Sequence, residues 1–231
     1  MADERFDPAA FLDFEHTAHG DLFAEGEPVW SALSRIKPYL ADAITSQEIG
    51  TASVSDRAEI GPHVRLGEGT VVEPFATIKG PAWIGPNCTI RCGAYIRENV
   101  IAGEGVMFGN SCEFKNCLLF DHAEIPHFNY VGDSVLGYKA HLGAGVILSN
   151  VRLDRRNVRV ATESEQLESG LRKFGAIIGD RTEVGCNSVL SPGSVVGRDC
   201  ILYPGSQWRG YLPSNRIAKV RLEQLVVPRN G

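Results

Sequence analysis

Apolar residues recur at every sixth position along the middle of this chain, from Val54 through Ile60, Leu66, Val72, Ile78 and Ile84 and on to Ile90, Ile96, Ala102, Phe108, Phe114 and Phe120. Two positions before most of them stands a small residue, among them Ala58, Ala76, Ala82, Cys88, Ala94 and Cys112. Between them lie turn formers, as in "IGPHVR", "LGEGTV" and "IGPNCT". A period of six is too short for a helical repeat, and Gly or Pro every few residues would break any helix. The pattern predicts a short strand and a corner per hexad, with the aliphatic side chain pointing inward and the small residue packed beside it. Each buried aliphatic contributes roughly 2 kcal/mol, so stacked hexads make a long, thin core. The expected fold is an all-β solenoid.

The phase is interrupted twice. Val131 and Leu136 are five apart, after which the period of six resumes through Leu142 and Leu148. The second interruption, about 149–177, is too long for a corner. In it "VRLDRRNVRV" reads as a hairpin turning at "DRRN", and "ATESEQLESG" as a polar, mobile stretch. Hexads return at Ile178, Val184, Leu190, Val196 and Leu202 and fade after Trp208. Residues 51–210 are therefore read as the solenoid and 211–231 as a tail. Residues 1–50 lack the hexad and carry Val29, Trp30, Leu33, Ile36, Leu40 and Ile44 at helical spacing, with Pro38 expected to break or kink the helix. They are read as a small, mostly helical cap over the open end of the solenoid, where apolar surface and unpaired strand edges need cover.

Composition narrows the function classes. The formal net charge of −5 argues against a nucleic-acid binder. It is unevenly spread, because residues 1–50 hold ten Asp/Glu against three Lys/Arg. An acidic appendage on a slightly basic coil leaves room for an anionic ligand. The acidic start has no apolar signal region and no run approaches the ~20 apolar residues of a membrane span, so a cytoplasmic protein is expected. Among the six cysteines, Cys88, Cys112 and Cys200 occupy small inward slots, and no CxxC pair exists.

The segments around the interruptions carry the chemistry: Lys115, "HFNYVGD" (127–133), "LGAG" (142–145), Asn150 and "KFGAIIGD" (173–180), with Arg97 upstream in "AYIRENV". With the hexads, these resemble the hexapeptide-repeat acyltransferases, and within them the acetyltransferase domain of the bifunctional enzyme that makes UDP-N-acetylglucosamine. The resemblance covers about residues 60–210. It implies a left-handed parallel β-helix in which three hexads make a turn, so that residues 54–125 give about four turns. It also implies a glucosamine-1-phosphate N-acetyltransferase using acetyl-CoA, a homotrimer with sites between neighbouring coils, and no membrane or nucleic-acid partner.

Amide formation requires an unprotonated amine and therefore a base, for which imidazole is suited near neutrality. The resemblance gives that role to His127. It further implies Arg97, Lys115 and Lys173 as phosphate ligands, Tyr130 as a pocket wall, His141 at a substrate-contacting position and Asn150 beside the amine. Backbone N–H groups around Gly143, Ala144 and Gly145 would polarise the thioester, with acetyl-CoA lying near Ala144, Cys186 and Pro204.

Several positions depart from the family. Val151 stands where it has a pocket tyrosine, His141 where it has an asparagine, and Cys186 where it has a serine. No nucleotide-binding loop is seen near the start, so a separate nucleotidyltransferase is an expected partner. Two alternatives remain. A non-catalytic sugar-phosphate or nucleotide-sugar binding scaffold would keep the cations without needing the base. A metal enzyme like the γ-class carbonic anhydrases would use His122 and His127, but their third histidine should fall near 86, where Pro86 and Asn87 stand.

Overall fold

A computed structural model describes residues 4–221 and 226–229. Among them, short strands stack into three parallel sheets of nine, eight and eight strands. The first sheet runs from Ser53–Val54 to Ile217–Ala218, the second from Glu59–Ile60 to Gln207–Trp208, and the third from Val64–Leu66 to Tyr211–Leu212. Successive strands of the chain go to successive sheets, so the backbone winds as a three-sided parallel β-helix. Val54 pairs with Val72, Ile60 with Ile78 and Leu66 with Ile84, which is one coil per three hexads. The hexad aliphatics form one continuous buried core, with Ala76, Ala82, Cys88, Ala94 and Cys112 in the small slots. All six cysteines are free thiols. Among the described residues no helix is long and apolar enough to cross a membrane.

The phase slips one hexad earlier than expected. Leu119, five residues after Phe114, points into the core and pairs with Ala102. Phe120 faces outward instead, with its ring 6.3 Å from Phe14 and 6.2 Å from Phe23. A second five-residue step joins Val131 to Leu136. Both shortened steps fall at the corner between the second and third sheets.

The third sheet is buried on both faces, as parallel sheets usually are. Its three-residue strands Val100–Ala102, Cys117–Leu119 and Ala176–Ile178 are buried throughout. Their outward residues Ile101, Leu118 and Ile177 form a second core with Phe6, Phe11, Leu12, Trp30, Leu33 and Ile36. Most of the N-terminal segment therefore lies lengthwise over this sheet as a strap, and only its last residues cover the open end, where Glu48 pairs with Arg65 and Ile49 packs against the solenoid core. It passes Tyr211, Asp180 and Phe120 before reaching Trp83. The strap consists of single 3-10 turns followed by one helix, α1 (Ala32–Ala43), which continues through Pro38 without ending there. Three-residue turns with Asp7 and Asp13 as caps let the chain follow a flat sheet without a helix diameter of clearance.

The long interruption also differs from expectation. Its hairpin is Arg159–Ala161 against Gln166–Glu168, so the polar stretch supplies the second strand, and 152–155 is only a turn. Val158, Val160 and Phe174 fold back onto the third sheet, and Trp30 meets Phe174 at 5.9 Å. The solenoid reaches Ala218, because Tyr211–Leu212 and Ile217–Ala218 pair in register with the preceding coil. The expected tail thus begins as solenoid, and its residues 222–225 and 230–231 lie outside the described residues.

Candidate active site

The predicted residues divide between two edges of the prism. At the corner between the first and second sheets, His127 ends the strand Glu124–His127. One coil on, the Gly145 N–H donates to the His127 carbonyl at 3.0 Å. One further coil on, the Asn187 N–H donates to the Ala144 carbonyl at 2.8 Å, and the Gly205 N–H then donates to Cys186 O at 2.8 Å. His127, Ala144, Cys186 and Pro204 therefore form a column along the axis with His127 at its head. Beside it Gly143, Cys186, Ile201, Tyr203 and Pro204 line an open, largely apolar groove.

The main chain under His127 is fixed from inside. Asn129 takes a small inward slot and is almost fully buried. Its Oδ1 accepts from the His127 N–H at 3.1 Å, and its Nδ2 donates to Gly143 O at 2.7 Å. The His127 ring is exposed, and Phe128 beside it is 60% exposed at φ 54°. The expected backbone donors are fewer than the sequence suggested. The N–H groups of Gly143 and Gly145 are already spent on Val184 O and His127 O, leaving only that of Ala144 without an acceptor among the described residues. The two glycines serve corner packing: a Cβ on Gly143 would lie 2.7 Å from Cys186 N.

The second cluster lies across the second sheet, at its corner with the third. Arg97 donates to Glu113 Oε1 at 2.9 Å and lies 3.5 Å from Glu98 Oε1. Lys115 Nζ stands 3.7 Å from the same Glu98 oxygen. The Glu113 hydrogen bond raises the Arg97 guanidinium further. Burial would raise Glu98, but its own backbone N–H, Arg97 and Lys115 outweigh that and hold it below the usual carboxylate value. Asn150 Nδ2 donates to Asp133 Oδ2 at 2.5 Å and to the Tyr130 hydroxyl at 3.2 Å. Burial, then the Asp133 charge, push the Tyr130 phenol up, so it keeps its proton. Lys173 is next to this cluster, because the Phe174 N–H donates to Asn150 O at 3.0 Å, but its side chain is exposed and meets no partner among the described residues.

His141 lies away from both corners but, with Glu183, lines the apolar groove beside the column. It opens its first-sheet strand opposite Glu124, at the far end from His127, and its Nδ1 lies 2.6 Å from Glu183 Oε2. His122 stands near it, over Tyr138. Among the described residues no group of three or more His, Cys, Asp or Glu is arranged to hold a metal.

Asn116, Asp133, Asn129, Glu98 and Glu113 were missed from the sequence. Asn129 had a signal: it is a polar residue at a position the period assigns to the interior. Asp133, Glu98 and Glu113 had none, since a carboxylate outside the inward slots reads as solvated until the fold brings a partner to it.

Residues 78–166 match the GMPPB C-terminal domain family. The chain is thus a coil of hexapeptide repeats with a segment similar to that family. A "Bifunctional sugar-1-phosphate nucleotidylyltransferase/acetyltransferase" from Sulfurisphaera tokodaii is 33% identical over 187 residues, covering 78% of this chain and 44% of the relative. A "Bifunctional protein GlmU" from Methanocaldococcus jannaschii is 35% identical over 175 residues, 76% of this chain and 42% of the relative. The chain thus spans less than half the length of these curated relatives. Among solved structures, the acetyltransferase domain of PglB from Neisseria gonorrhoeae in complex with acetyl coenzyme A aligns with 16% identity and a TM-score of 0.30, over 72% of this chain and 50% of that one.

Proposed function

We propose that this protein is an acetyl-CoA-dependent N-acetyltransferase acting on an amino-sugar phosphate such as glucosamine-1-phosphate, with His127 as general base. The observation that carries the reading is the position of His127 at the head of the Ala144–Cys186–Pro204 column, at the corner from which Tyr130 opens the next strand toward Asn150. Acetyl-CoA lies along the apolar groove with its thioester near Ala144, whose N–H polarises the carbonyl oxygen. The amine nitrogen attacks the carbonyl carbon, the C–S bond breaks, and the amine's proton passes to His127 and on to the departing thiolate. Tyr130 and Asn150 hold the sugar, and Arg97, Lys115 and Lys173 meet its phosphate.

The acceptor cluster is mixed in sign, since Glu98 and Glu113 already neutralise Arg97 and Lys115. Such a site suits a molecule carrying both an ammonium and a phosphate better than a simple anion. The active form is a homotrimer, in which a neighbouring coil closes the open side of each site, and the nucleotidyl transfer in the name of the Sulfurisphaera tokodaii relative belongs to a separate domain or protein.

The same neutralised cations favour a second reading, a sugar-phosphate binding scaffold without turnover. The test is release of free CoA thiol from acetyl-CoA and glucosamine-1-phosphate by the wild type and by His127→Ala. Turnover lost in the variant supports the proposal. Binding of the sugar phosphate without turnover by the wild type supports the scaffold.

A further inference from the structure

We infer that Asp133, seated by Asn116, is a positioning residue that fixes the side-chain amide of Asn150 with its carbonyl oxygen toward the acceptor. The inference rests on the reading of Asn150 as an acceptor-site residue and adds the hydrogen-bonding sense in which it acts. Asp133 is 4% exposed, and its side chain turns in at the shortened corner after Gly132, where the chain is at φ 47°. Its Oδ1 accepts from Asn116 Nδ2 at 3.0 Å and its Oδ2 from Asn150 Nδ2 at 2.5 Å. Asn116 in turn reaches the Leu33 carbonyl of α1 at 3.4 Å, so the network is tied to the strap.

An asparagine amide ordinarily can be turned over, with oxygen and nitrogen exchanged. Here both Asp133 oxygens act as acceptors, one from Asn116 and one from Asn150, so Asn150 presents its NH2 to Asp133. The second hydrogen of that group goes to the Tyr130 oxygen at 3.2 Å. Both donors are thereby consumed, and the remaining group, Asn150 Oδ1, is left to receive a hydrogen bond from a ligand. Tyr130, having accepted from Asn150, keeps its own O–H to give. The pair therefore offers one acceptor and one donor in fixed positions. Asn150 Oδ1 selects a ligand group with an N–H or O–H, as an amine nucleophile has, and disfavours a group that can only accept.

A double-mutant cycle with Asp133→Asn and Asn150→Ala tests the coupling. In the wild-type background Asp133→Asn should raise the KM for glucosamine-1-phosphate about 10-fold or more, as expected for loss of a charge-assisted hydrogen bond, while acetyl-CoA affinity stays unchanged. In the Asn150→Ala background the same substitution should add nothing. Equal losses in both backgrounds would overturn the inference, because a general structural role does not depend on Asn150. A readout without turnover accompanies it. The Asn150 side-chain NH2, assigned by its loss in Asn150→Ala, should resonate downfield and exchange slowly, and Asp133→Asn should remove both properties. An unprotected NH2 in the wild type would overturn the inference whatever the activity. A protected NH2 that responds to Asp133→Asn, in a protein that turns over no amine, would uphold the fixed amide and sink the transferase reading alone.

Discussion

The buried side chain of Asn129 donates to the Gly143 carbonyl at 2.7 Å, bridging from one coil to the next directly behind the exposed ring of His127. Its Oδ1 simultaneously holds the His127 N–H. Replacing it with Ala leaves two backbone groups unpaired in the interior, at a cost of about 1–3 kcal/mol. Asn129→Ala should lower the unfolding free energy by that amount and reduce CoA release, since His127 loses its seat. Unchanged turnover in a folded variant would show that the Asn129 bonds serve stability only.

Gly132 is demanded by close approach and not by its backbone angle. A Cβ there would come within 2.5 Å of the Tyr130 hydroxyl and 2.7 Å of Asn150 Nδ2. Gly132→Ala should displace both side chains and weaken glucosamine-1-phosphate binding about 10-fold or more, with CoA binding retained. Titration calorimetry with each ligand separates the two effects.

His19 is 2% exposed, with its Nδ1 2.9 Å from the Tyr39 hydroxyl and its ring edge-on to Trp83. Burial, then the nearby charge of Arg65, lower its pKa to about 4. A lowered histidine is neutral in the native state and protonated more readily in the unfolded one. Its contribution to stability is complete above the ordinary value near 6.5 and is lost as pH falls toward 4, by about 3 kcal/mol in total. Urea midpoints of the wild type should decline over that window, and His19→Phe should flatten this part of the profile. Parallel profiles for the two proteins would refute the assignment.

Asp180 anchors the strap. Its carboxylate, fully buried, accepts from the Asp13 and Tyr138 N–H groups at 2.8 Å each, and its own N–H donates to Phe11 O. Asp180→Ala strands both donors and should destabilise the native state by about 2–4 kcal/mol. Hydrogen exchange should accelerate first in residues 6–16 while the inner coils stay protected. Uniform acceleration through the chain would instead mean that strap and solenoid unfold as one unit.

Phe120→Ala removes a ring that is outside the solenoid core yet completely buried between Phe14 and Phe23. A loss of about 3–5 kcal/mol is expected, as for a core phenylalanine. A change below about 1 kcal/mol would show that the strap contributes little to global stability.

The sequence by itself determined the solenoid, because a hexad tests the same inward slot at every strand. Val72, Ile78 and Ile84 are interior whatever else the chain does. It also marked the stretch 115–150 and the residues His127, Tyr130 and Asn150 through local motifs. Tertiary structure alone decided where Phe120 points, because a five-residue step and a six-residue step differ by one residue, and both Leu119 and Phe120 are apolar. It decided that residues 6–44 cover the third sheet. The paired apolar positions Ile101–Ala102, Leu118–Leu119 and Ile177–Ile178 advertise a sheet buried on both faces, but do not say what covers it. It also decided that Glu98 meets Lys115, that Arg97 meets Glu113, that Asp133 meets Asn150, and that His141 meets Glu183. Those pairings join residues one or more coils apart, and their partners follow from how the coils stack and turn their corners, which no local pattern records.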